Sequence, residues 1–387
     1  MTTVPGHTSI IEYDRIIPDT SLHQNMMRSI LIASGCIQSE MLFHNGLHQN
    51  TLILYDMLES MGYTCYLLSE KGSTKLSDLT QYKFLVPDTI VEKGLFKTLN
   101  IVTYIEIGMS LDSGWRSLLQ RLGTKVIKLY LGNILNIDIE TTSITKGLYF
   151  PHHITGALDE IWTSPHYAMN TEYAATINNM KDGKVVPYLW DTVFMKDKGT
   201  RWRSAASWTV TDLVIAEPNL SFQKSCLFPL LLANEFASLC PEWKGKVYLL
   251  NTERMAKNRY MSETVLPNLM LQKAGRLVHE GRTDILSVLR KHPSAMFLAH
   301  QYNNDYNYMT LELMELGFPV LHNSSGWKEF GYYWSVDHWQ TALADLCKIL
   351  QLHASQTGVY RSHAKQLQWK HSPWNPVNRR EWLKALA

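Results

Sequence analysis

Two polar loops, each directly after a short apolar run, carry side chains suited to binding a polar ligand. Residues 295–299 form the first run and lead into the loop 300–308, whereas residues 318–321 lead into the loop 322–326. A short helix between them is predicted to end at Gly317, because glycine commonly follows the last helical turn. Such a strand–helix–strand unit brings both loops to one edge of a sheet, where ligands bind. The candidate ligand-binding residues are Tyr302, Asn303, Asn304, Asp305, His322, Asn323 and Ser324. Because asparagine and aspartate also form plain turns, a structural role for the first loop stays open.

The helix between these loops carries Glu312 near its start. The surrounding sequence, LELMELGFPV from Leu311 to Val320, resembles the LEAMAxGxPV segment in the donor half of GT-B glycosyltransferases. In that family the glutamate contacts the nucleotide ribose, and a second acidic residue usually lies eight positions earlier. The resemblance therefore implies a ribose contact for Glu312, whereas the earlier position is occupied by Asn304, with Asp305 beside it. The structural alternative for Glu312 is an exposed glutamate placed favourably for the helix dipole.

A cradle for a phosphate is predicted in the segment 217–224, between a strand and a helix. The N-terminus of a helix attracts phosphate, and Ser221 and Lys224 would add a hydroxyl donor and a cation. A helix N-cap for Ser221 and a solvated surface position for Lys224 are equally consistent with the sequence. Arg254 and Lys257 follow the next strand and are alternative phosphate ligands or solvated loop residues.

The first half of the chain offers a second cradle and candidates for a proton acceptor. The loop containing Asn45 and Gly46 precedes a helix, and a glycine there lets the backbone approach a ligand closely. An Asn-Gly pair is equally typical of a simple turn. Sugar transfer with inversion needs a carboxylate or histidine to take the proton of the acceptor hydroxyl. The candidates for this role are Glu106, His44, His152 and its neighbour His153. With retention the donor phosphate can take the proton, and the resemblance leans towards retaining families.

Apolar runs and amphipathic helices alternate along the chain at the spacing of β–α–β units. Strands at this spacing imply a mostly parallel sheet covered on both faces, and the pattern restarts after the charged segment 196–203. The predicted fold class is α/β, with two Rossmann-like domains facing a cleft. The predicted division is 1–195 for an acceptor domain, 196–360 for a nucleotide-sugar donor domain and 361–387 for a returning helical segment. The return of that last segment to the first domain is what the GT-B resemblance implies.

Composition excludes several other classes of protein. The 387 residues carry 37 Lys and Arg against 35 Asp and Glu, and a net charge of +2 argues against a nucleic-acid binder. The apolar runs are far shorter than the ~20 residues that cross a membrane, and residues 1–15 contain no signal-peptide core. Five cysteines without a CxxC pair indicate free thiols. We therefore expect a soluble cytoplasmic protein without a transmembrane segment, whereas the oligomeric state leaves no signature.

Motifs that the sequence lacks exclude further classes of protein. No HExxH or DxD motif is present, so no metal is expected, and no GxGxxG follows a predicted strand, which argues against a dehydrogenase. The expected function is a metal-independent hexosyl- or pentosyltransferase that moves a sugar from a UDP- or GDP-linked donor to a glycan or other hydroxyl acceptor. No cofactor is expected beyond the donor itself. The alternatives are a nucleotide-sugar epimerase, which needs no acceptor, and a nucleotide- or sugar-binding protein, which turns over no donor.

Overall fold

The computed structural model describes residues 28–38, 42–43, 46–69, 81–87, 90, 94–107, 110–143, 153–195, 200–219, 221–253 and 255–387. Within these residues, two parallel β-sheets flanked by helices follow one another along the chain. None of the helices in this part of the chain is both long and apolar enough to cross a membrane.

The first sheet is made of apolar strands, and its central strand β1 is buried at all five positions. Its described strands are β1 (Ser29–Ala33), β2 (Thr64–Leu68), β3 (Phe84–Leu85), β4 (Ile101–Glu106), β5 (Lys125–Tyr130), β6 (Glu160–Thr163) and β7 (Lys184–Val185). They are parallel and lie in the order β3-β2-β1-β4-β5-β6-β7. The chain changes direction across the sheet between β1 and β4, so the loops after these two strands border a crevice.

The second sheet repeats this arrangement. Its described strands are β8 (Leu213–Ile215), β9 (Val247–Leu249), β10 (Leu277–His279), β11 (Met296–Leu298), β12 (Val320–His322) and β13 (Tyr332–Tyr333). They are also parallel, in the order β10-β9-β8-β11-β12-β13. The crevice of this sheet lies after β8 and β11, which precede the two segments predicted to bind phosphate and ribose.

Helices connect the strands and cover both sheets. The described α-helices are α1 (Gly46–Ser60), α2 (Leu95–Thr98), α3 (Ser113–Arg121), α4 (Ile134–Ser143), α5 (Thr171–Ile177), α6 (Leu227–Leu239), α7 (Leu266–Asn268), α8 (Met270–Lys273), α9 (Ile285–Lys291), α10 (Tyr308–Glu315), α11 (Trp339–His371) and α12 (Pro376–Leu386). Gly317 follows α10 with a φ of 79°, a left-handed conformation that glycine adopts without strain. The predicted stop of this helix is confirmed.

The last two helices carry the chain from the second sheet back to the first. The α12 helix packs its Trp382 ring edge-to-face on Trp162, which lies in β6, at 5.5 Å between ring centroids. The indole N–H of Trp382 donates to the Pro187 carbonyl at 3.1 Å. The predicted fold class, two Rossmann-like domains with a C-terminal helix crossing back, is therefore confirmed. The predicted division at 360/361 falls inside α11, and the domain limits stay a prediction.

His371, the last residue of α11, joins the two halves at this crossing. The indole N–H of Trp327 donates to its Nε2 at 2.9 Å, so its Nδ1–H donates to the Tyr188 carbonyl at 3.2 Å. Burial lowers the pKa of His371 to about 4, partly opposed by the Tyr188 carbonyl. The imidazole is therefore neutral and holds one defined tautomer at neutral pH.

Candidate functional site

Two adjoining cavities occupy the cleft between the sheets. The larger has a volume of about 590 Å³ and the smaller about 400 Å³. Residues of both halves line each cavity, and Gly46, Lys224 and Tyr308 line both. A ligand that reaches from one cavity into the other passes this shared wall, which also includes Leu131, Gly132, Ile137, Tyr306 and Asn307.

The larger cavity is bounded by the loops that follow the strands of the second sheet. These loops contribute Pro218 after β8, Asn251 after β9, Arg282 after β10 and Asn304 after β11. The backbone N–H of Arg282 donates to the Glu253 carboxylate at 2.9 Å, which fixes this arginine's loop. Polar groups thus meet at the carboxyl edge of the sheet, the place where doubly wound sheets bind ligands.

Glu312 lines the larger cavity from the second turn of α10. The side chain is buried at 2 % exposure, and Gln49 Nε2 of the α1 helix donates to its Oε1 at 2.7 Å. Burial raises the pKa of Glu312 to about 7, and the Gln49 hydrogen bond acts in the opposite direction. The alternative of an exposed surface glutamate is therefore wrong, while the ribose contact stays a prediction.

Lys224 and Ser221 lie where the phosphate cradle was predicted. The Ser221 hydroxyl accepts from the Gln223 N–H at 3.1 Å, so Ser221 caps the 3-10 turn Phe222–Lys224 and also borders the larger cavity. Burial lowers the pKa of the partly exposed Lys224, and the Glu217 carboxylate acts in the opposite direction. Among the described lining residues, Lys224 is the cation shared by both cavities, so a phosphate at their junction would meet it.

Glu217 follows β8 and lies fully buried behind Lys224. Its two oxygens accept from the His300 N–H at 2.9 Å and from Gln301 Nε2 at 2.6 Å. Burial raises the pKa of Glu217 to about 7, although Lys224 and these two donors act to lower it. Its bonds tie the loop after β8 to the loop after β11.

The loop residues predicted from the segment 300–326 separate into two groups. Asn304 lines the larger cavity, and the Asn303 carbonyl accepts from Asn133 Nδ2 of the first half at 2.6 Å. Tyr302 is exposed, with its ring 5.9 Å from that of Phe222. These positions leave Asn304 as the member of this group that can contact a ligand in the larger cavity.

The residues of the second group form hydrogen bonds within the protein. The Asp305 carboxylate accepts from the Ser325 hydroxyl at 2.5 Å, and its carbonyl accepts from the Ser324 hydroxyl at 2.5 Å. Asn323 exchanges two hydrogen bonds with the Gln301 backbone, at 2.8 and 3.0 Å. None of these three is among the described residues that line either cavity.

His322 is likewise held within the protein. Its Nε2–H donates to the Phe330 carbonyl at 2.8 Å, and its Nδ1 accepts from the Ser324 N–H at 3.2 Å. Burial lowers the pKa of His322 to about 4. These bonds account for both ring nitrogens, so the imidazole shapes the loop after β12.

Glu106, a predicted proton acceptor, ends β4 in a buried ion-pair cluster. Its carboxylate accepts from Lys128 Nζ at 3.0 Å, from Arg116 at 3.4 Å and from the Leu111 N–H at 2.9 Å. Lys128 itself lines the smaller cavity, whereas Glu106 does not. The cluster therefore orients Lys128 at the cavity wall.

Gly46 begins α1 and lines both cavities, as the predicted cradle requires. A Cβ atom at this position would lie 2.5 Å from Cδ2 of Tyr308, so glycine permits a close approach of the two halves. Lys257 ends the 3-10 turn Met255–Lys257 and is not among the described lining residues. His44, Asn45, His152 and Arg254 lie outside the described residues, so their roles stay predictions.

A histidine–aspartate pair borders the smaller cavity. His153 Nδ1 lies 2.5 Å from Asp138 Oδ1, and the Tyr173 hydroxyl donates to Asp138 Oδ2 at 2.6 Å. The backbone carbonyl of His153 accepts from the Tyr130 hydroxyl at 3.0 Å. With its Nδ1 on the aspartate, the ring can offer Nε2 as a proton acceptor.

Sequence reasoning did not identify several of the lining residues. Gln49, Lys128 and Arg282 border the cavities but stand in segments without a recognisable motif. The signal that could have indicated Arg282 is its position after a predicted strand of the second sheet. Gln49 has no such signal, because its contact with Glu312 depends on the docking of two helices.

Comparison with solved structures defines the class of fold. A glycosyltransferase from Rickettsia africae ESF-5 is 12% identical with a TM-score of 0.58 over 92% of this chain and 97% of that one. Sucrose-phosphate synthase from Thermosynechococcus elongatus is 11% identical with a TM-score of 0.55 over 93% and 100%. Anabaena HepE in complex with UDP and glucose is 12% identical with a TM-score of 0.55 over 92% and 99%. The chain has the GT-B fold, as the resemblance in the segment 311–320 implied.

The family follows from the sequence match. Residues 32–386 match the family described as "Protein of unknown function (DUF2827)", and the chain belongs to that family. No curated protein matches the sequence.

Proposed function

We propose that this protein is a glycosyltransferase that moves a sugar from a UDP- or GDP-linked donor to a hydroxyl group of a glycan or other acceptor. The observation that carries the proposal is the pair of adjoining cavities between two Rossmann-like halves, with Lys224 at their junction. Such an arrangement provides one compartment for a nucleotide and a second for an acceptor. Enclosure between two halves would also exclude water and so limit hydrolysis of the donor.

In this proposal the nucleotide occupies the larger cavity. Glu312 accepts hydrogen bonds from the ribose hydroxyls, and the ammonium of Lys224 faces the diphosphate leaving group, whose charge grows during transfer. Arg282 adds a second cation to the wall of this cavity. The UDP and glucose bound by the structural neighbour HepE support a nucleotide-sugar as the ligand of this fold.

The acceptor occupies the smaller cavity. Its wall combines aromatic rings suited to a sugar face, those of Tyr130, Tyr188 and Tyr306, with the polar groups of Lys128 and His153. If transfer inverts the anomeric configuration, His153 is the residue placed to take the proton of the acceptor hydroxyl. If transfer retains it, as the segment 311–320 favours, the leaving phosphate takes the proton.

Donor binding is tested by thermal shift with UDP, GDP, ADP, CMP and their sugar conjugates. A ligand that binds the folded state raises the melting temperature, and the proposal expects this for a UDP or GDP compound. Lys224→Met should remove most of the difference between the diphosphate and the corresponding nucleoside, because it deletes the cation. Lys273→Met, which changes an exposed lysine of α8, is the matched control.

Catalysis is tested separately by incubating the bound donor with and without glycan acceptors. Acceptor-dependent release of nucleotide supports the transferase, whereas turnover without acceptor supports an epimerase or a hydrolase. Binding without turnover favours the non-catalytic alternative, which Asn304 supports because an amide stands where GT-B enzymes usually have a carboxylate. A shift with none of the nucleotides would contradict the assignment of the larger cavity.

A further inference from the structure

The corner between α11 and α12 exposes an apolar surface to solvent. Trp369 is 49%, Trp374 50% and Val377 54% exposed. The Asn375 side chain fixes them as one group, because its Nδ2 donates to the Trp369 carbonyl at 3.0 Å and its Oδ1 accepts from the Val377 N–H at 2.9 Å. We call these three side chains the corner patch.

The corner patch lies in the most basic part of the C-terminal region. Residues 365–384 contain a single acidic residue, Glu381, and hence a net charge of +4 against +2 for the whole chain. Their five basic residues are Lys365, Lys370, Arg379, Arg380 and Lys384. The rest of the chain is therefore slightly acidic, and the positive charge is concentrated around the exposed tryptophans.

The basic side chains flank the patch along both helices. Lys365 stands one turn before Trp369 on α11, while Arg380 and Lys384 follow Val377 at helical spacing on α12, and all three are exposed. Glu381 pairs with Lys384 at 2.9 Å and lies 3.6 Å from Arg380, which neutralises one charge of the group. The exposed stripe of each helix thus changes from basic to apolar at the corner.

The inner face of the same corner is already occupied. Trp382 is buried against β6, and the Arg379 guanidinium donates to the Ser60 hydroxyl at 2.8 Å. Packing therefore accounts for the inward residues of α12, whereas the patch stays about half exposed even though the Arg379 guanidinium lies 5.8 Å from the centre of the Trp374 ring. Tryptophan rings favour the boundary between headgroups and acyl chains, and flanking basic residues are attracted to anionic lipids.

We propose that the corner patch docks this protein on an anionic lipid bilayer. Trp369, Trp374 and Val377 enter the interfacial layer, and Lys365, Arg380 and Lys384 contact the headgroup phosphates. This docking is independent of the proposed sugar transfer, since no residue of the patch lines either cavity.

The proposal is tested by flotation of the full chain with phosphatidylcholine vesicles that contain or lack phosphatidylglycerol. The expected result is binding to the anionic vesicles, weakened by high salt because screening reduces the electrostatic attraction. Trp369→Ser/Trp374→Ser should lower the bound fraction by about tenfold, and Arg380→Glu/Lys384→Glu should abolish the preference for anionic lipid.

Leu352→Ser/Val359→Ser is the matched control, because these residues are 46% and 62% exposed on the same α11 helix outside the patch. Equal losses in this control and in the tryptophan variant would overturn the proposal, as would failure of the wild-type chain to float with anionic vesicles. Sedimentation equilibrium of the same variants tests a second copy of the chain as the occupant. Self-association that requires both tryptophans, without vesicle binding, would assign the patch to that copy and reject the membrane.

Discussion

Replacing Glu312 by glutamine should stabilise the protein while weakening its binding of nucleotides. The carboxyl group is buried, and its pKa rises from 4.5 to about 7. Because each pKa unit corresponds to 1.36 kcal/mol, ionising this group costs about 3 kcal/mol of folding free energy above pH 7. Glutamine removes that cost and keeps a carbonyl oxygen that can accept from Gln49 Nε2.

The direction of the pKa shift of Glu312 determines how the stability gain of Glu312→Gln depends on pH. The folded pKa lies above the unfolded value, so the cost is absent below pH 4.5, grows between pH 4.5 and 7 and stays constant at higher pH. Glu312→Gln should therefore gain about 1 kcal/mol at pH 5 and about 3 kcal/mol at pH 8, measured by urea unfolding. Glu235→Gln, on the exposed face of α6, serves as the control and should show no gain.

Nucleotide binding should move in the opposite direction. A neutral amide makes weaker hydrogen bonds than a carboxylate, so the affinity for the nucleotide should fall by roughly 1 kcal/mol, measured by calorimetry at pH 8. A Glu312→Gln variant that is destabilised at pH 8, or whose stability gain is the same at pH 5, would refute the burial argument. Unchanged nucleotide affinity would remove Glu312 from the site even if the stability gain is found.

Three further perturbations test the closure, the crossing helix and the proton acceptor. Gly46→Ala should hold the halves apart and lower turnover, because its Cβ would lie 2.5 Å from Tyr308. Small-angle scattering should then show a larger radius of gyration, which Tyr308→Ala should partly reverse. His371 should contribute its full stability above pH 6.5 and lose it as the pH falls towards 4, so His371→Gln should flatten this acid loss in denaturation curves. His153→Gln and Asp138→Asn should each lower turnover about 100-fold or more in an inverting reaction while leaving the nucleotide-induced thermal shift intact. Full turnover in both would exclude the pair as the base.

The alternation of strands and helices could be predicted from sequence because it is a local pattern. The segment 160–163 predicts a strand, which coincides with β6, and the helix ended by Gly317 follows from its apolar spacing. The segment 185–191 also predicts a strand, but it pairs only at its start, because Pro187 lacks an N–H and the Trp190 N–H donates to the His371 carbonyl instead. That bond depends on the returning helix, which no local pattern contains.

The length of α11 could also not be predicted from the local sequence pattern. The sequence predicts a helix over 336–353, whereas α11 continues to His371 through Gly358. A glycine inside a helix costs about 1 kcal/mol relative to alanine but does not end the helix by itself. The buried positions of its second half, such as Tyr360 and Leu367, offset that cost by packing on other elements.

The candidate site could be predicted only where one segment carries its own signal. The segment 311–320 indicated Glu312, but its partner Gln49 lies 263 positions away and becomes its neighbour only when α1 docks against α10. Tyr308 makes a second hydrogen bond between α1 and α10, in which its hydroxyl accepts from Asn50 Nδ2 at 2.7 Å. The cleft is therefore closed by contacts that belong to the tertiary structure alone.

The two buried glutamates Glu106 and Glu312 differ in how the protein compensates the burial of their carboxylates. Glu106 is buried with Lys128 and Arg116 on its carboxylate, so neighbouring cations offset the loss of solvation. Among the described residues, no cation pairs with Glu312, and Gln49 supplies one neutral hydrogen bond. Neighbouring cations thus compensate the burial of Glu106, whereas one neutral hydrogen bond from Gln49 opposes the cost of burying Glu312 in the described part of the chain, which makes Glu312 the candidate for a ligand contact.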